Sequence, residues 1–130
     1  TRLWVESKKI SKGASIVFIS SVSGVYCSAV ASSIYSSSKG AVNGLVKGVA
    51  LDLAPKGIRV NSVNPGMIDT DIFTGSAITD EQLKTDMQRY PLGRYGKPEE
   101  VAYAVIYLLS DAATWVTGSN LLIDGGYTLL

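Results

Sequence analysis

Three short runs of apolar, mostly β-branched or aliphatic residues punctuate the chain. They are Ser15-Ile16-Val17-Phe18-Ile19-Ser20, Ile58-Arg59-Val60-Asn61-Ser62-Val63-Asn64 and Asn120-Leu121-Leu122-Ile123. Each is bounded by Gly, Ser, Asn or Pro, which predicts three strands. Between them the apolar period changes to that of a helix. Over residues 35–54, Ala41, Val42, Leu45, Val46, Val49, Ala50 and Leu53 hold a 3.6-residue repeat, and Pro55 and Gly57 stop it. Residues 98–109 repeat the pattern with Val101, Ala104, Val105, Leu108 and Leu109. Pro98 suits a first helical position, and Glu99 and Glu100 stand where the helix dipole favours acids. Residues 80–90 predict a weaker, more polar helix, and residues 2–10 the tail of another. No internal repeat or low-complexity linker interrupts the chain, so residues 1–130 read as one partial domain.

Strands that alternate with helices and are apolar on both faces predict an α/β fold with a parallel sheet. Such sheets bind ligands beyond the C-terminal ends of their strands. The segments to inspect are therefore Ser20-Ser21-Val22-Ser23-Gly24, Pro65-Gly66-Met67-Ile68-Asp69-Thr70 and Asp124-Gly125-Gly126-Tyr127.

Composition narrows the chemistry. Hydrophobic residues at 46% and charged residues at 18% exclude an intrinsically disordered chain. The net charge is +1 and the twelve basic residues are dispersed, which argues against nucleic acid and anionic membranes as partners. Histidine is absent, which removes Ser-His-Asp and Cys-His catalysis and every histidine-ligated metal. The lone Cys27 excludes a disulfide framework and reads as a passive thiol, and no metal site is expected. Residues 13–38 carry no charge, but they hold ten serines and only one sustained apolar run, so they do not read as a membrane span. No basic-then-apolar signal segment and no starting Met are present, so Thr1 reads as a cut or processed end.

Acid–base chemistry must then come from Asp, Glu, Lys, Tyr or the one Cys. Tyr35 and Lys39 are four apart at a predicted helix start, which places them one turn apart on one face. An ammonium beside a phenol favours the phenolate, and a nearby serine hydroxyl could bind a substrate oxygen. Chance supplies a Tyr-x-x-x-Lys pair often enough that the pair alone also fits a solvated lysine beside a half-buried tyrosine.

The surrounding motifs change that balance. Residues 13–24, Tyr35-Ser36-Ser37-Ser38-Lys39, residues 58–66, Ile68-Asp69-Thr70, Pro91-Leu92-Gly93-Arg94, Gly96-Lys97-Pro98-Glu99-Glu100-Val101, and Thr117-Gly118 through Asp124-Gly125-Gly126 follow one another. Together they resemble the C-terminal half of the short-chain dehydrogenase/reductase family, from about residue 10 to the end. The closest pattern is the group containing 3-oxoacyl-carrier-protein reductases and secondary-alcohol dehydrogenases. The resemblance implies a Rossmann-type parallel sheet, C-terminal half only. It implies an NAD(P)-dependent oxidoreductase acting on a small carbonyl or alcohol. By that resemblance Tyr35 is the acid–base, Lys39 supports it and holds the cofactor ribose, and Ser21 binds the substrate oxygen. Pro65, Gly66, Ile68 and Thr70 contact the nicotinamide end and the adjacent phosphate. The gap from Ser21 to Tyr35 is one residue longer than the commonest family spacing, which places a small insertion within residues 25–34 and leaves Ser20 and Ser23 as alternatives. Residues 71–97 correspond to the family's substrate lid, made fairly apolar by Met67, Ile72, Phe73 and Ile78.

Other features have plainer readings. Asp124-Gly125-Gly126 reads as a turn, and Asp69, Asp71 and Asp86 read as solvated. Gly40, Gly44 and Gly48 form a stripe suited to close helix packing, and the related helix often lies at a subunit interface, so a homo-oligomer is expected.

The glycine-rich phosphate loop that opens this family is not in the sequence, nor is the residue that separates NAD from NADP. The family's Asn-Asn-Ala-Gly segment and catalytic Asn are absent as well. The chain therefore reads as a fragment, inactive alone, with an open strand edge and uncovered apolar faces. The competing reading is a non-catalytic binding or interaction module derived from the same family. A cytoplasmic location is the expectation for nicotinamide chemistry with one free thiol.

Overall fold

The computed structural model describes residues 6, 10–71 and 79–130. The helix tail expected at residues 2–10 falls almost wholly outside them, as do Ile72, Phe73 and Ile78 of the expected lid.

The three strands form one parallel sheet. They are β1 (Ser15–Ile19), β2 (Arg59–Pro65) and β3 (Asn120–Ile123), in spatial order β1-β2-β3. Ser15 faces Arg59 and Ile19 faces Val63, while Ser62 faces Asn120 and Pro65 faces Ile123. The central strand is the buried one: Val60, Asn61, Ser62, Val63 and Asn64 are all solvent-free. Among the described residues β1 pairs on one side only.

A helix packs on each face, as the switch of period predicts. Helix α1 (Ser33–Leu53) lays Val49, Ala50 and Leu53 against Ile58 and Val60, with Ile10, Ala14, Ile16 and Phe18 around them. Helix α3 (Pro98–Leu109) lies against β1 and β2, and the Leu108 carbonyl accepts from Ser15 Oγ at 2.8 Å and Arg59 Nη1 at 2.7 Å. Those donors satisfy carbonyls that a helix C-terminus leaves without intrahelical partners. Helix α2 (Asp80–Met87) is shorter than its polar pattern suggested. It starts from a capping box in which Thr79 Oγ1 accepts from Gln82 N, and Gln82 Oε1 accepts from Thr79 N. The predicted stop after α1 is realised by Gly57 at φ +68°, whose N–H donates to Ala54 O.

Two sequence readings need correction. Asp86 is not simply solvated: its carboxylate accepts from Tyr95 Oη at 3.0 Å and from Arg89 Nη1 at 3.2 Å. The glycine stripe on α1 packs closely only at Gly40, which abuts the Gly24 backbone; Gly44 and Gly48 face open space. Among the described residues no helix is long and apolar enough to cross a membrane, and no His/Cys/Asp/Glu group could hold a metal.

Candidate active site

All three segments that follow the strands converge at the C-terminal end of the sheet. After β1 the chain enters Ser20-Ser21-Val22-Ser23-Gly24, pinned by Ser20 N to Val63 O and Val22 N to Pro65 O. Gly24, at φ +113°, lies against the first turns of α1; a Cβ there would sit 2.4 Å from Ser36 O and 2.7 Å from Gly40 N. This close crossing brings the serine segment beside Tyr35 and Lys39. After β2 the chain turns at Pro65-Gly66. Its next residues are held by Gly96, whose N–H donates to Met67 O and whose carbonyl accepts from Asp69 N.

Between these segments lies a cavity of about 500 Å³. Ser21, Tyr35 and Lys39 line it, and so do Pro65, Gly66, Ile68 and Thr70. All seven site residues expected from the sequence thus share one space. Ser21 is buried, and its Oγ accepts from Ser23 N at 3.2 Å, which leaves its own proton free to donate. Ser20 Oγ instead donates to Lys39 O at 3.1 Å, so its proton is committed. Tyr35 is half exposed. Lys39 Nζ lies 5.6 Å from the Tyr35 ring centroid and donates to Ile19 O at 3.1 Å. One of the three ammonium protons is thereby fixed and two remain for other acceptors.

The remaining wall was not assigned to the site from the sequence, although Tyr127 stands in one of the three segments that follow the strands. Tyr90, Tyr127, Arg89, Asp86 and Cys27 also line the cavity. Tyr90 is buried, stacks on Tyr127 with centroids 4.8 Å apart, meets Tyr95 edge-on, and accepts from Met67 N at 3.2 Å. Burial, chiefly, pushes its phenol up to about 12. Burial likewise pushes the Cys27 thiol up, and the nearby Arg89 charge offsets that only in part. For Tyr127 the signal was its place in the segment after β3; for Tyr90 it was only the position directly before Pro91. Asp124-Gly125-Gly126 is a turn, as read: Asp124 accepts from Gly126 N, Thr128 N and Thr128 Oγ1. Burial works against the Asp124 carboxylate, but those bonds outweigh it and hold its pKa low. Of residues 25–34, where the sequence suggested an insertion, residues 25–32 form a loop in which Ala31 adopts φ +61°, and Ser33 and Ile34 already belong to α1.

The residues present suit the nicotinamide-ribose end of a dinucleotide. Lys39 keeps free donors, and Gly66 brings bare backbone to the cavity wall.

Comparison with known proteins bears on lineage. Residues 5–128 match the family model described as enoyl-(acyl carrier protein) reductase. The chain is 42% identical to the 3-oxoacyl-[acyl-carrier-protein] reductase of Thermotoga maritima over 118 residues, covering 91% of this chain and 47% of that protein. It is 41% identical to a cyclopentanol dehydrogenase of a Comamonas species over 128 residues, covering 98% of this chain and 51% of that protein. The crystal structure of a short chain dehydrogenase family protein from Francisella tularensis superposes with a TM-score of 0.88 at 38% identity. That match covers 99% of this chain and 57% of the other. The chain thus spans about half the length of the curated relatives it matches. Parallel sheet, motif order and these matches agree, and the chain belongs to the short-chain dehydrogenase/reductase family.

Proposed function

We propose that these residues form the proton-transfer side of an NAD(P)-dependent oxidoreductase that interconverts a small carbonyl and its secondary alcohol. The observation that carries this reading is the single cavity holding Ser21, Tyr35 and Lys39 beside the Pro65–Thr70 turn. The nicotinamide, when bound, supplies or accepts the hydride. In the reducing direction, Ser21 donates its free proton as a hydrogen bond to the substrate oxygen and holds it near Tyr35. Tyr35 Oη gives that oxygen a proton as the carbonyl carbon becomes tetrahedral. Lys39 Nζ stands 5.6 Å from the Tyr35 ring centroid as this happens. In the oxidising direction the phenolate takes the alcohol proton back. Lys39, Pro65, Gly66, Ile68 and Thr70 are the residues that would hold the ribose and nicotinamide.

The intact Ser-Tyr-Lys set favours this reading over a non-catalytic module. The named activities of the relatives support small or acyl-linked carbonyls and cyclic secondary alcohols as the substrate class. The pyrophosphate cradle has no counterpart in these residues, so full dinucleotide affinity requires structure beyond them. The open Gly44–Gly48 face of α1, with Leu51 exposed beside it, supports self-association.

The test is NADH and NADPH oxidation at 340 nm by the protein as its source makes it, with cyclopentanone and a 3-oxoacyl thioester. Tyr35→Phe lowers kcat by at least about 100-fold. Turnover that survives this change unaltered removes Tyr35 from the mechanism.

A further inference from the structure

We propose that Arg89 makes this cavity select substrates that carry a carboxylate in addition to the reacting carbonyl or alcohol. The proposal rests on reading the cavity as the redox site and adds the substrate class. Among the described residues the charged side chains lining the cavity are Lys39, Arg89 and Asp86, two cations against one anion. Lys39 already donates to Ile19 O and sits over Tyr35. Arg89 is placed differently. Its guanidinium lies 4.8 Å from the Tyr127 ring centroid, a contact that restrains the side chain. Its Nη1 contacts Asp86 through a single 3.2 Å bond, not a two-bond fork. Asp86 is shared, because its other oxygen accepts from Tyr95 Oη. Among the described residues, Nε and Nη2 of Arg89 have no partner. A free, planar pair of N–H donors on an aromatic platform matches a carboxylate, which it can bind bidentately.

The same oxyanion chemistry could come from a nucleotide phosphate, so the experiment separates the two sources. The ¹⁵N-labelled protein, as its source makes it, is titrated with cyclohexanecarboxylate, cyclohexanol and nicotinamide mononucleotide, following the Arg89 Nε–H signal. The carboxylate shifts that signal saturably, with a Kd at least about fivefold below that of cyclohexanol. Arg89→Gln abolishes the preference while the amide spectrum stays dispersed, and Arg89→Lys keeps only part of it. Equal affinities, a preference that survives Arg89→Gln, or no carboxylate binding would overturn the proposal. So would an Arg89 signal that answers the mononucleotide but not the carboxylate. These are binding readouts without turnover. Failure of the redox reading shows up separately, as an absence of NAD(P)H oxidation with every carbonyl.

Discussion

Gly24 and Gly40 meet backbone against backbone, and nothing larger fits at Gly24. A Cβ there would lie 2.7 Å from Gly40 N, and Gly24 already holds φ +113°. Gly24→Ala therefore combines a strained dihedral with overpacking and costs about 2–5 kcal/mol. Gly44, on the same helix, faces open space. Gly44→Ala stabilises by about 0.5–1 kcal/mol through helix propensity alone. Urea midpoints of the two variants should move in opposite directions. A shared direction would show that the crossing does not constrain the fold.

The two serines at the end of β1 separate by their hydrogen bonds. Ser21 keeps its proton, while Ser20 spends its own on Lys39 O. Ser21→Ala lowers kcat by about 10–100-fold and, because Ser23 N loses its acceptor, also costs about 1 kcal/mol of stability. Ser20→Ala costs about 1 kcal/mol of stability and leaves most of kcat. The paired measurement is steady-state kinetics and thermal unfolding of both variants. The reverse pattern would make Ser20 the substrate-facing hydroxyl.

Tyr90 supports the turn after β2 from below. Its Oη accepts the Met67 N–H, and its ring lies 3.3 Å from where a Gly66 Cβ would stand. Tyr90→Phe keeps the ring and removes the acceptor, which costs about 1–2 kcal/mol. Hydrogen exchange at the Met67 amide speeds up more than at neighbouring amides. Unchanged exchange at Met67 would mean that the turn is held by Gly96 alone.

The sheet was legible in the sequence because residues 15–20 and 120–123 are largely aliphatic and Ile58, Val60 and Val63 recur through the central strand, although Arg59, Asn61, Ser62 and Asn64 stand among them. The shared face of Tyr35 and Lys39 followed from helical spacing alone. Of the wall opposite, only Tyr127 stood in a segment that the strand pattern marked. Arg89 and Tyr90 end the polar helical segment read at residues 80–90, and only tertiary packing brings them to Tyr127. Asp86 looked solvated because sequence spacing reveals Arg89 three residues on but not Tyr95 Oη, which arrives through a turn. The expected end of α2 at Tyr90 failed for a related reason: Tyr90 turns inward to meet Met67 and Tyr127 and leaves the helix.

The two inward tyrosines set an alkaline limit. Tyr90 is pushed up to about 12 chiefly by burial, and Tyr95 to about 12 by burial and its hydrogen bond to Asp86. Both are raised from 10.0, so the folded state holds these protons more tightly than the unfolded state does. Their contribution is complete below pH 10 and is lost as the pH climbs toward 12. Urea midpoints measured across that window should fall, and Tyr95→Phe should flatten part of the fall. An equal slope in the variant would assign the alkaline loss to other groups.

The acid limit belongs to the entry of α3. Glu100 accepts from both Nη groups of Arg94, at 2.8 and 2.6 Å, and from Lys97 N at 2.7 Å. The Arg94 hydrogen bonds, first, and the Lys97 amide hold the Glu100 carboxyl down at about 2, against an ordinary 4.5. A lowered folded value means the unfolded state binds the proton more readily. The stabilisation is therefore present above pH 4.5 and drains away as the pH falls toward 2. Both partners reach solvent, so salt should weaken the effect. Glu100→Gln keeps an acceptor for Lys97 N but loses the charge. Its urea midpoint should be lower than wild type at pH 6 and converge with it near pH 2. A gap that stays constant across that range would mean Glu100 acts by shape, not by charge.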